Sequence, residues 1–384
     1  MANPETAEEF KSRGDARRAK GDLAGALADC TKCIELKPDW AQGFNSRALV
    51  KQVKGDLAGA LADFDRAIEL NPALPQLYKN RADARRLKGD HAGAIADYDK
   101  AIAANPAWFE AFNNRGVSRQ ANGDLDGALG DFDKTIQLKP DYVQAYTNRA
   151  GIRRIRKDFD GALVDLDRAI ELRGNSAITF ASRGSVRRAK GDLEGARADY
   201  TKAIELKPDS AEFFNNRGTA NQDIGDLKSA LADFNRAIEL KPDLAMAWNN
   251  RGLVKHPLGD LDGAISDYTQ ALKLKPNLAT TYNNRGGAKS AKGDVAGALA
   301  DYTRAIELKP DLARAWSNRG ELKRNQGDLV GAIADYDKAI ELKPDFAEAY
   351  QNRSVAREAR GDLAGSDADR AKALSLKPEL AFDL

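Results

Sequence analysis

The chain has 384 residues, and its 60 Lys and Arg against 58 Asp and Glu leave a formal net charge of +2. That balance sets up no strong field for nucleic acid or an anionic membrane surface, so neither is expected as a partner. No apolar run of about 18 residues exists, so membrane insertion is not expected, and the two cysteines make no disulfide framework.

The start, Met1 to Phe10, lacks a basic segment followed by an apolar one. No secretory signal is therefore expected, and a cytoplasmic location is the default. Asn3 and Pro4 can cap and start a first helix, because Pro suits the first helical position.

From Ala7 onward one pattern governs the chain. Phe109–Tyr142 reads FEAFNNRGVSRQANGDLDGALGDFDKTIQLKPDY, and it recurs every 34 residues without insertion or deletion. Eleven repeats result: 7–40, 41–74, 75–108, 109–142, 143–176, 177–210, 211–244, 245–278, 279–312, 313–346 and 347–380. Residues 1–6 are a lead-in and 381–384 a tail. A fixed period of this length marks an elongated array whose repeats contact only their neighbours. Places within a repeat are numbered here from 1, which is Ala7 in repeat 1.

Each repeat predicts two helices. The first (A) covers places 1–14 and ends at Gly-Asp, where glycine accepts the left-handed turn. Gly21, Gly55, Gly89 and Gly123 are examples, and only Lys157 breaks the pair. The Asp is placed to cap the second helix (B). Helix B carries apolar residues at 3–4 spacing, as in Leu125, Ala128, Leu129, Phe132 and Ile136, and stops before Pro140. Small residues at places 8, 20 and 27 allow close helix approach. Gly at place 19, in ten repeats, reads as softening the array. Irregular joints are expected at Gly174, which replaces a proline, and at Pro257, which should break the last turn of its helix. Polar Ser366, Asp367 and Arg370 suit a terminal cap, which would put the native C-terminus near Leu384.

The repeat resembles the tetratricopeptide repeat. In repeat 4 the matching residues are Phe112, Gly116, Gly123, Ala128, Phe132 and Pro140, at places 4, 8, 15, 20, 24 and 32. The resemblance implies an all-α fold, a right-handed α-solenoid superhelix of eleven antiparallel helix pairs. It implies protein–protein interaction through a concave groove lined by the A helices. Two places depart from the family. Place 7, usually apolar, is Arg in all eleven repeats, Arg13 through Arg353. Place 11, usually aromatic, is Lys or Arg in ten, with Asn221 the exception.

The charged rows have structural readings. Arg at place 7 and Asp at place 23 occur in every repeat, as Arg115 with Asp131, and can pair across one helix hairpin. A basic ladder for an anionic partner is the alternative. The place-11 row reads as a solvated face that complements helix dipoles. Cys30 and Cys33 occupy core places 24 and 27 and read as packing residues, since neither further zinc ligands nor a redox fold accompany them. His91 reads as half-buried filler. A lone His256 has no acid or nucleophile beside it. No phosphate loop, metal cluster or catalytic triad is visible, so no enzyme activity, metal or cofactor is expected.

Place 6 carries the candidate site. It is Asn in eight repeats: Asn80, Asn114, Asn148, Asn216, Asn250, Asn284, Asn318 and Asn352. Place 5 adds Asn45, Asn113, Asn215, Asn249 and Asn283. Asn is a mediocre helix former, so its repetition in mid-helix needs a reason. Its amide offers donors and an acceptor that match a peptide backbone. The row is similar in this one feature to the asparagine ladder in the repeats of O-linked N-acetylglucosamine transferases, which implies an extended peptide as ligand. Two readings remain open: a ligand ladder, or a duplicated motif whose amides bond to a neighbouring helix. Arg154, Gln222, His256 and Arg324 flank the row at place 12, and Glu321 at place 9; their variation suits side-chain discrimination. A carboxylate clamp would need Asn at place 9, where Lys11 and Lys79 are followed by Asp15 and Asp83. The expected function is a protein- or peptide-binding scaffold, with self-assembly into a homo-oligomer as the alternative.

Overall fold

The computed structural model describes residues 6–172 and 176–379; Asn3, Pro4, Gly174 and Leu384 lie outside them. Among the described residues there are 22 α-helices, an A and a B helix for each repeat, and no strand. The turn between A and B follows from the Gly-Asp pair. Gly123 sits at φ 87, a conformation costly for any residue with a Cβ. Lys157, which stands in for glycine in repeat 5, adopts it nonetheless at φ 62. Asp124 then caps helix B, accepting from the Gly127 N–H at 2.9 Å.

That cap corrects the reading of place 19. A Cβ on Gly127 would lie 2.1 Å from the Asp124 carboxylate. Glycine lets the capping carboxylate lie against the start of helix B, where a Cβ would make it shift. Ser229, the exception, still donates its N–H to Asp226, at 3.1 Å. In repeat 8, helix A (Ala245–Lys255) has 11 residues, against 13 or 14 elsewhere. It stops two residues before Pro257, as the proline predicts.

The chain divides into two compact units, Met1–Lys190 and Gly191–Leu384. The first holds repeats 1–5 and helix A of repeat 6 (Ala177–Lys190). The second opens on helix B of repeat 6 (Leu193–Leu206) and holds repeats 7–11. Within each unit every helix packs on the next in sequence, the arrangement of an α-solenoid. In repeat 4, Arg115 meets Asp131 while Arg119 meets Gly127, so separations shrink toward the turn and the pair is antiparallel. The ring at place 24 fills the interior. Phe132 is fully buried, and a Cβ on Gly116 would come within 2.7 Å of it.

The polar interior is more elaborate than one ion pair. In repeats 1–5 and 7–11 the place-7 arginine bonds the place-23 aspartate. The geometry is two-pronged: Arg47 donates from Nε and Nη2 to the two Asp63 oxygens at 2.8 and 2.7 Å. The aspartates are buried; Asp131 is 2% exposed. The expectation of a solvated row at place 11 is corrected. Arg119 Nη1 reaches the same Asp131 carboxylate at 2.9 Å, and in repeats 1–5 and 8–11 the buried acid holds two cations. Hydrogen bonding to Arg13, with the nearby Arg17 charge assisting, holds the Asp29 carboxyl below its usual pKa.

Two partners of the arginine were not anticipated. Its third arm crosses to place 25 of the preceding repeat: Arg81 to Asp65 at 2.7 Å and Arg115 to Asp99 at 2.6 Å. Its face lies over the place-4 aromatic, as for Arg251 over Trp248 at 4.8 Å. One guanidinium therefore joins its own helix, its partner helix and the neighbouring repeat. In repeat 11, Arg370 at place 24 bonds Glu358 at 2.9 Å, while Ser366 stays buried.

Two outcomes follow for stability and reactivity. Asp131→Ala strips two cations of their buried partner and should cost about 3 kcal/mol. Asp99→Ala removes a half-exposed partner and should cost under about 1 kcal/mol. Urea unfolding of the two variants checks the order; equal losses would contradict it. Burial pushes the Cys30 thiol up to about 12 and raises Cys33 as well. The thiolate is the reactive form, so at about pH 8 a disulfide reagent should label neither cysteine until the chain unfolds. Rapid labelling of the folded protein would contradict this.

Candidate functional site

The A helices carry places 2, 5, 6, 9 and 12 on one face, because residues three or four apart lie side by side on a helix. On that face the asparagines bond mainly to one another. A place-6 amide donates to the place-5 amide of the preceding repeat: Asn80 to Asn45 at 2.9 Å, and Asn148 to Asn113 at 3.1 Å, in the first unit. The second unit repeats it with Asn250 to Asn215 at 3.1 Å and Asn318 to Asn283 at 2.9 Å. Neighbours extend the network. Asn113 donates to Asn114, Asn249 to Asn250, Asn114 to Asp83 at 3.0 Å, and Thr281 to Asn249 at 2.8 Å. Asn80, Asn113 and Asn249 are buried.

For these residues the second reading of the row describes the geometry: the amides bond to a neighbouring helix. The physical reason is spacing. Consecutive A helices run side by side, so places 5 and 6 of adjacent repeats come within one amide's reach. Three asparagines differ. Asn216, Asn284 and Asn352 are half-buried and have no side-chain hydrogen bond among the described residues.

In the second unit a cavity of 640 Å³ opens on this face. Asn283, Asn318 and Asn352 line it, with Arg314, Glu321, Lys343 and Glu348. In the first unit a cavity of 460 Å³ is lined by Gln144, Thr147, Asn148, Ile178 and Thr179, with Val143 and Ser176. The place-12 residues are less uniform. Arg154 is exposed, while Gln222, His256 and Arg324 are half-buried. Arg324 reaches Asn325 at 3.3 Å. The His256 ring lies near Gly287 of the next repeat. None of Arg154, Gln222, His256 and Arg324 lines either cavity.

The place-5 lysines are internally neutralised: Lys11 pairs with Asp15 at 2.6 Å and Lys79 with Asp83 at 2.8 Å. His91 is half-buried, as its position suggests. Among the described residues no three His, Cys, Asp or Glu side chains converge to hold a metal ion. Sequence reasoning missed the bracing roles of places 4 and 25. The signal was present, since every repeat has an aromatic three residues before its place-7 arginine.

Comparison with known proteins agrees with the periodicity. Family models described as TPR repeat match residues 184–225, 223–259, 256–293 and 288–327. Models described as tetratricopeptide repeat match 313–346, and 46–107 with 113–177. No curated protein matches the sequence. Among solved structures the chain is similar to the crystal structure of the yeast Tom70, with a TM-score of 0.47 and 17% identity over 96% of this chain and 92% of that one. A likeness at that level bears on neither partner nor activity. The repeat matches cover most of the chain, and with the paired helices they place it plainly: it belongs to the tetratricopeptide repeat family.

Proposed function

We propose that the chain is a non-enzymatic interaction scaffold that holds an extended peptide segment of a partner protein along the A-helix face of its second unit. Arrays of this family serve in general as protein-interaction scaffolds. The finer reading rests on one observation: Asn216, Asn284 and Asn352 keep unengaged amides on a row whose other amides are spoken for. An amide with free donors and a free acceptor can bond a strand-like backbone from either side. Asn352 lines the cavity that Arg314, Lys343, Glu321 and Glu348 also border. Both charge signs at its rim suit a peptide with alternating acidic and basic side chains. Ordering a flexible segment opposes binding, so a short peptide should bind weakly.

Selection of a displayed random-peptide library on the full chain provides the ligand for a test. Asn284→Ala with Asn352→Ala should weaken the selected peptides by about 0.5–1.5 kcal/mol per lost bond. Thermal stability should not fall, because alanine is the better helix former. Asn250→Ala and Asn318→Ala should instead lower stability, since each breaks a bond between repeats. Selected peptides that ignore Asn284 and Asn352, or a selection that enriches nothing, would overturn the proposal.

A further inference from the structure

Repeat 7 departs from the others on a different face. In repeats 1–5 and 8–11 a lysine or arginine at place 11 bonds the buried place-23 aspartate at 2.7 to 3.0 Å. In several, the same head also reaches the place-19 carbonyl, as Arg153 does at Gly161 O, 2.9 Å. Repeat 7 has Asn221 there. Its Nδ2 donates to Asp233 at 2.9 Å, but the amide is neutral and brings no charge to the acid. Arg217 holds Asp233 in the usual two-pronged way. The carboxylate therefore has one cation where its counterparts have two.

A cavity of 590 Å³ lies at this point. It is walled by helix B of repeat 6 and by helices A (Ala211–Ile224) and B (Leu227–Leu240) of repeat 7, and Asn221, Ser229 and Asp233 line it. Asn221 is 3% exposed, and its Oδ1 has no hydrogen-bond partner. The orientation of that amide is settled by its neighbour: Asp233 accepts, so Nδ2 faces it and Oδ1 turns away. A buried acceptor without a donor is costly. The bases at the rim are already engaged. Arg197 pairs with Glu194 at 2.5 Å, Lys202 with Glu205 at 2.9 Å, and Arg217 Nη1 bonds Thr201 at 3.3 Å. An anion entering here would face acceptors.

We propose that this cavity is a binding site for a primary ammonium group, carried by a partner's lysine side chain or by a free alkylamine. The ammonium shares the Asp233 carboxylate with Asn221 Nδ2, which bonds the oxygen that the place-11 head meets elsewhere. Its three N–H donors address the Asn221 Oδ1, the Asp233 carboxylate and the second lone pair of the Ser229 carbonyl. The apolar stem lies along Ala198 and Ala232 at the cavity wall. The partner thereby supplies the cation that repeat 7 lacks.

Calorimetric titration of the full chain tests this with three probes: 1,5-diaminopentane, Nα-acetyl-lysine methylamide and the isosteric Nα-acetyl-norleucine methylamide. Wild type should bind at least one of the two amines saturably and should not bind the norleucine derivative. Binding of the lysine derivative assigns the site to a partner's side chain; binding of the diamine alone assigns it to a free amine. Asn221→Lys and Asn221→Arg supply the missing cation internally. Both should raise the melting temperature and weaken amine binding at least ~tenfold, the worth of a charge-assisted hydrogen bond. Lysine or arginine at this place is native to the other repeats, so these variants should fold, and circular dichroism verifies it. No saturable binding by wild type, equal binding by the norleucine derivative, or undiminished binding by both folded variants would overturn the proposal.

Discussion

The structure depends on a buried carboxylate that is never left alone. Each place-23 aspartate sits between two helices, where an unpaired charge would be expensive. The place-7 arginine meets that demand with two parallel hydrogen bonds, and the place-11 cation adds a third contact. Because the same guanidinium also reaches the preceding repeat and rests on an aromatic ring of its own helix, satisfying the acid fixes the spacing of three helices together. A fully apolar contact could be as stable, but it would tolerate sliding. A forked ion pair has one geometry, and that geometry recurs at 34-residue intervals.

The amide row works by the same logic in weaker terms. Each bond between neighbouring A helices is worth about 1 kcal/mol net, so no single one decides the fold. Their repetition makes the helix face polar yet largely self-satisfied. A ligand therefore gains little by displacing these bonds and most by using amides that have none. The two polar ladders lie on different sides of helix A. One concerns assembly of the repeats; the other leaves a few unsatisfied groups on the A-helix face. Repeat 7 is where the assembly ladder itself is incomplete, since Asn221 reaches the acid but its amide carries no charge.

Much of this was legible in the residues. The 34-residue period fixed the number of helices, Gly123 and Asp124 marked the turn, and Pro257 foretold a shortened helix. These are local effects, set by backbone torsions and by missing donors. The pairing of Arg115 with Asp131 was also readable, because hairpin geometry brings the two places together. Place 19 was not: its glycine looks dispensable until the Asp124 carboxylate is seen to crowd the place where a Cβ would be. Place 11 looked solvated because helix position alone does not tell how far a long side chain folds back. The partners of Asn148 and Asn250 depend on the distance between neighbouring A helices, which no single repeat encodes.

The central claim is that the forked pair couples the two helices, rather than merely filling space between them. A double-mutant cycle on Arg251 and Asp267, read by urea unfolding, isolates that coupling from the separate costs of truncation. The account predicts an interaction energy of about 2 kcal/mol or more in favour of the pair. A value below about 0.5 kcal/mol, the level at which independent sites simply add, would contradict it.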